Sequence, residues 1–179
     1  MASHTANRRT FVASIFRGIR WFRDPARWSL QVYCLSLILS EAIEVKWCEG
    51  SSMLPTFNDK WDSLMVEKIT WRFRRQLGVG DVVVFVSPLD PLRLVCKRLI
   101  GLPGDRVIVD PVAREREYVT VPAGHIWVQG DNASNSKDSR EYGPVPMGLI
   151  RGKVYCRLFP QFKMMAGTGL KLVVESGTE

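Results

Sequence analysis

Three stretches hold residue types that could perform nucleophilic hydrolysis: Ser52-Met53-Leu54-Pro55-Thr56, the run from Lys97 to Asp105, and a polar loop from Gly130 to Arg140. A serine hydroxyl is a weak nucleophile and needs a base within hydrogen-bond reach. Histidine serves poorly here, because only His4 and His125 exist and His125 opens an apolar strand pattern, where packing is the simpler role. Lysine can be the base only when neutral. Its free pKa is about 10.4, so work near neutral pH needs a depression of roughly 3 units, or about 4 kcal/mol against the charged form. Burial supplies that bias. If Lys97 lies on a strand, Val95 and Leu99 share its face, and this apolar flank suits a desolvated lysine. The serine has no such support, since a Ser-rich turn with a proline is by itself an ordinary loop. Ser139 is a rival nucleophile, but its neighbours Asp138 and Arg140 suggest structure instead.

The elements that must position these groups read as β. Short apolar runs over 62–66, 81–87, 92–100, 106–109, 117–121, 125–129 and 153–159 are separated by turn signals such as Gly80-Asp81, Pro103-Gly104-Asp105 and Gly130-Asp131. Strands this short at this spacing predict a mainly β protein, a compact β-barrel or folded sheet with little helix. Residues 163–179 lose the pattern and read as a loose tail.

The first 45 residues differ. They hold six arginines against three acids, and no acid precedes Asp24. Phe11, Ile15, Ile19 and Phe22 recur at helical spacing with Arg17 and Arg20 between them, as in an amphipathic targeting or matrix-side segment over 1–27. Residues 28–44 predict a membrane anchor helix, short of the roughly 20 apolar residues a span requires. The arginines ahead of it place the N-terminus on the matrix or cytoplasmic side, and residues 45–162 on the other. The net charge of +7 does not suggest nucleic acid, because Arg72, Arg74 and Arg75 are the only basic cluster after residue 45. Two histidines cannot build a H-E-x-x-H site, and no metal or other cofactor is expected. Cys34, Cys48, Cys96 and Cys156 form no C-x-x-C pair; two disulfides are permitted, but free thiols are the simpler reading.

Taken in order, the three stretches resemble the signature boxes of type I signal peptidases. Ser-Met-x-Pro-Thr is matched from Ser52 to Thr56, Lys-Arg-x-x-Gly-x-Pro-Gly-Asp from Lys97 to Asp105, and Gly-Asp-Asn-x-x-x-Ser-x-Asp-Ser-Arg from Gly130 to Arg140. Gly80-Asp81-Val82-Val83-Val84-Phe85 looks like the family's core strand. The resemblance implies a Ser52 nucleophile, a Lys97 general base and an acyl-enzyme. It implies that Ser136 orients the lysine, that Asp138 and Arg140 form a bracing ion pair with Asp131 as further support, and that the Ser52 backbone N–H serves the oxyanion. Some bacterial relatives place a second, hydroxyl donor where this chain has Gly50, so that donor stays open. Only 24 residues separate Asp105 from Gly130, so the second β domain of many bacterial relatives is absent.

Size, short anchor and Arg-rich start are similar to the mitochondrial inner membrane peptidases, with the third box nearer to subunit 1 than to subunit 2. That likeness implies precursor-protein substrates, inner membrane lipid, a second related peptidase subunit, and a catalytic domain facing the intermembrane space. Two alternatives remain at this point: a self-cleaving Ser/Lys regulator of the repressor type, and a catalytically silent structural subunit.

Overall fold

The computed structural model describes residues 24–69, 77–110 and 117–165. The amphipathic segment before residue 24, the Arg72, Arg74 and Arg75 cluster and the tail beyond residue 165 lie outside the described residues. The chain divides into two compact units, Met1–Glu41 and Ala42–Glu179.

In the first unit the helix α1 runs over Pro25–Ala42. It starts earlier and ends earlier than the expected 28–44. Pro25 sits at the first helical position, where its missing N–H costs nothing, and the Asp24 carbonyl accepts from the Arg27 and Trp28 N–H groups. Leu30, Leu35, Ile38 and Leu39 are exposed. The hydroxyls of Ser29, Ser36 and Ser40 donate back to the Pro25, Tyr33 and Leu37 carbonyls. No helix among the described residues is long and apolar enough to cross a membrane.

The second unit is a curled antiparallel sheet. Its strands are β1 (Ile43–Cys48), β2 (Asp62–Glu67), β3 (Val82–Val86), β4 (Leu94–Gly101), β7 (His125–Gln129), β8 (Val145–Pro146), β9 (Ile150–Phe159) and β10 (Lys163–Met164). They run in the order β1-β2-β9-β3-β4-β7-β8, with β10 against β9. A separate pair joins β5 (Arg106–Ile108) to β6 (Tyr118–Thr120). The expectation of a mainly β domain holds. Three strands were not expected: β1, which continues directly from α1, and the two-residue β8 and β10. The expected loose tail in fact begins with β10, followed by a buried Met165.

The central strand β3, Val-Val-Val-Phe-Val, is buried at every position. Its side chains alternate between two cores. Val82 and Val84 join Met53, Phe57 and Leu64 on one side, whereas Val83 and Phe85 join Leu99, Ile126 and Val128 on the other. A sheet covered on both faces needs continuous β-branched and aromatic residues rather than alternation. Beside β3 lies β4, with Lys97 opposite Val83 and Cys96 opposite Val84. The two residues therefore leave the strand on opposite faces.

Candidate active site

Ser52 lies in a short 3-10 turn, Ser51–Met53. The turn is pinned from below by Met53, which is only 1% exposed within the core. Gly50, just before it, has φ 124, with nothing within 4 Å of where a Cβ would stand. Backbone conformation, not crowding, favours glycine there. The residue that could have been a second hydroxyl donor is thus set by the entry into the turn.

Lys97 is 4% exposed. Val95 and Leu99, expected on its face of the strand, and Val83, opposite it in the sheet, belong to one apolar cluster or pack on it. Burial lowers its pKa below the ordinary lysine value, although the nearby Asp138 carboxylate opposes the shift. Nζ lies 3.0 Å from Ser136 Oγ, and the Ser136 hydroxyl donates to Asp138 Oδ2 at 2.7 Å. Ser52 and Lys97 line one cleft of about 490 Å³ with Gly50, Leu94, Asn135 and Tyr142. Among the described residues no hydrogen bond joins Ser52 to Lys97, and the lysine rests on Ser136.

A depressed lysine pKa makes stability depend on pH with a definite sign. Between the lowered folded value and the unfolded value of about 10.4, only the unfolded chain holds the proton, so stability rises with pH across that window. Below the window both states are charged and the folded state bears the full cost of burial. We expect Lys97→Met to be more stable than wild type at neutral pH, with the difference shrinking as the pH approaches 10. Thermal melts of both full-length proteins across that range are the check.

Asp138 is fully buried. Burial pushes its pKa up, but the Arg140 guanidinium, the Gly130 N–H and the Ser136 hydroxyl outweigh it and hold the carboxyl below its usual range. Arg140 grips it with Nε at 2.9 Å and Nη2 at 2.7 Å, while Gly130 N donates at 2.8 Å. Asp138 also caps the four-residue helix α2 (Ser139–Tyr142) through the Arg140 N–H. Removing one partner of a buried ion pair strands the other charge, which typically costs about 3–5 kcal/mol. Arg140→Ala should lose stability of that order in urea unfolding, whereas Arg140→Lys should recover part of it. Ser139 is buried and accepts from the Val128 N–H at 3.0 Å, a structural position rather than a nucleophile's. His125 Nδ1 is within 3.1 Å of the Ala123 carbonyl, a local loop contact.

Arg98, to which the motif gave no role, holds the boxes together. Being next to Lys97, it leaves the opposite face of β4. It makes a two-point pair with Asp131 at 2.7 and 2.6 Å, donates to the Gly80 carbonyl at 2.8 Å and reaches Thr56 Oγ1 at 3.3 Å. One guanidinium therefore joins the serine stretch, the core-strand turn and the third loop. The forked geometry explains arginine at this position, since lysine could not satisfy both carboxylate oxygens and the carbonyl. Asn132 and Asn135 were likewise missed. Asn132 donates from N to the Ser52 carbonyl and from Nδ2 to the Ser51 carbonyl, each at 3.0 Å, and Asn135 Nδ2 donates to Ser51 Oγ at 2.6 Å. A motif containing both asparagines is legible, but contacts across 80 or more residues are not.

The site thus holds a buried lysine of lowered pKa, a half-buried serine lining the same cleft, and a Ser136–Asp138–Arg140 chain that holds the amine. The family model described as "Signal peptidase, peptidase S26" matches residues 23–113 and 109–159, and the chain belongs to that family. It is 48% identical over 117 residues to mitochondrial inner membrane protease subunit 1 of Schizosaccharomyces pombe, covering 65% of this chain and 74% of that protein. It is 39% identical over 137 residues to the Homo sapiens protein of the same name, covering 74% and 80%. It is also 36% identical over 141 residues to subunit 2 of the S. pombe protease, covering 78% of each.

Proposed function

We propose that this protein is a membrane-bound serine endopeptidase that removes sorting or signal peptides from precursor proteins. The observation that carries the reading is Lys97: a nearly fully buried amine of lowered pKa, held by Ser136 in the cleft that Ser52 lines. When neutral, the amine takes the Ser52 proton. The alkoxide attacks the scissile carbonyl, the amine then gives its proton to the leaving amine, and water hydrolyses the ester by the same base. The developing oxyanion is met by the Ser52 N–H. Ser136 and Asp138 orient the lysine, and Arg140 keeps Asp138 charged and in place. Asp131, through Arg98, fixes the loop.

The substrate's approach follows from strand pairing. β7 pairs with β4 only from Arg98 onward, which leaves the edge from Leu94 to Lys97 open on that side. Leu94, Val95 and Lys97 of this edge line the cleft. An extended precursor segment adds to this edge, with main-chain hydrogen bonds for affinity and small pockets for side-chain choice.

The relatives' names support a place in the mitochondrial inner membrane, and the match to both subunits supports pairing with a second, related peptidase subunit. We assign the catalytic domain to the intermembrane space and α1 to membrane attachment beside that partner. The test is precursor processing in mitochondria carrying wild-type or Ser52→Ala protein. Unprocessed N-termini confined to intermembrane-space precursors support the assignment. Release of the protein by carbonate, with normal processing in the variant, would reject it and favour a soluble self-cleaving regulator or a silent subunit.

A further inference from the structure

The active-site account leaves unused a pair of thiols that flank it. Cys48 ends β1, four residues before Ser52, and Cys96 lies on β4, immediately before Lys97. β1 and β4 are separated in the sheet by β2, β9 and β3, yet curling brings these two residues against the same buried cluster, which includes Met53 from the nucleophile turn. Their thiols interact with each other at close range, and both are free. Neither is fully buried. By contrast Cys34 is exposed on α1, and Cys156 is buried on β9.

We propose that Cys48 and Cys96 are a reversible oxidation site, converted to an intramolecular disulfide by a small disulfide oxidant of the glutathione-disulfide class. The Cys48 thiolate attacks one sulfur of the oxidant, which expels the first thiol and leaves a mixed disulfide on Cys48. The Cys96 thiolate then attacks the Cys48 sulfur and expels the second. Two protein thiols and one small disulfide become one protein disulfide and two small thiols, so atoms and electrons balance. The nearby Lys97 charge favours the thiolate form of both cysteines, the form that attacks a disulfide. The cross-link ties the strand leading to the Ser52 turn to the strand carrying Lys97, and it restrains the long intervening loop in the unfolded chain. This inference does not depend on the protease reading.

The experiment treats the full-length protein in detergent with glutathione disulfide, followed by alkylation, intact mass and peptide mapping. The expected result is loss of two hydrogens, a Cys48–Cys96 linked peptide, full reversal by dithiothreitol, and a melting temperature higher for the oxidised than the reduced protein. A Cys34→Ser/Cys156→Ser variant should behave the same. Cys48→Ser should show no linked peptide, and Cys96→Ser should stop at a glutathione adduct on Cys48. Four free thiols after treatment, glutathione adducts without the linked peptide in wild type, or a link to Cys34 or Cys156 would each overturn the proposal.

Discussion

Ser52→Ala is expected to abolish precursor cleavage, and Lys97→Met to reduce kcat by about 10²–10⁴-fold, the usual contribution of a positioned general base. The two losses have different origins. Without Ser52 there is no nucleophile on the cleft side of the turn, because Ser139 is buried under Val128 and Ser51 is held by Asn135. Without Lys97 the serine remains, but it loses the buried amine that is to take its proton. Methionine is the informative replacement, since it keeps the apolar packing against Val83 and Leu99 while removing the amine. Both variants should fold, and Lys97→Met should be the more stable protein at neutral pH. A purified-enzyme assay on a precursor segment, with melting curves alongside, separates lost chemistry from lost structure. KM should move little, because neither group is needed to seat the substrate strand on β4.

Gly130→Ala should be nearly as damaging, although glycine takes no part in the chemistry. A Cβ at this position would fall on Ser136 Oγ, and 2.5 Å from the Ser52 carbonyl oxygen. Neither neighbour can yield without cost. Ser136 holds the Lys97 amine, and the Ser52 carbonyl is fixed by the Asn132 N–H. Relief of the overlap must therefore pull the lysine's partner or the nucleophile's backbone out of position. A displacement of about 1 Å at reacting atoms can cost 10²-fold, and we expect at least about that loss in kcat. Gly148→Ala is the control, since nothing lies within 4 Å of its added methyl. It should retain full activity and stability.

What could be read from residues alone followed the physics of each signal. The Lys97 environment was legible because a strand's period of two places Val95 and Leu99 beside it with no tertiary knowledge, and the structure agrees. β3 was legible because a run of valines bounded by Gly80-Asp81 fits a strand buried on both faces. β1 was not. Ile43, Val45 and Trp47 alternate outward and are exposed, so the usual inward apolar signal is absent, and the strand follows α1 without a break. β8 and β10 are two residues long and have no pattern to detect. Gly50 looked like a missing donor, whereas its positive φ shows a backbone requirement that composition cannot reveal. The bracing by Arg98, Asn132 and Asn135 depends on side chains meeting across long separations. Their presence in motifs marked them, but only the folded sheet assigns each one a partner.

The identity of the acylated residue tests the central claim most directly. Full-length enzyme mixed with a precursor segment and quenched in acid within the first turnover should carry the substrate's N-terminal portion as an ester on Ser52, located by peptide mass spectrometry. The adduct should be missing from Ser52→Ala and form far more slowly in Lys97→Met. An ester on any other residue, or single-turnover cleavage at the wild-type rate by Ser52→Ala, would contradict the account.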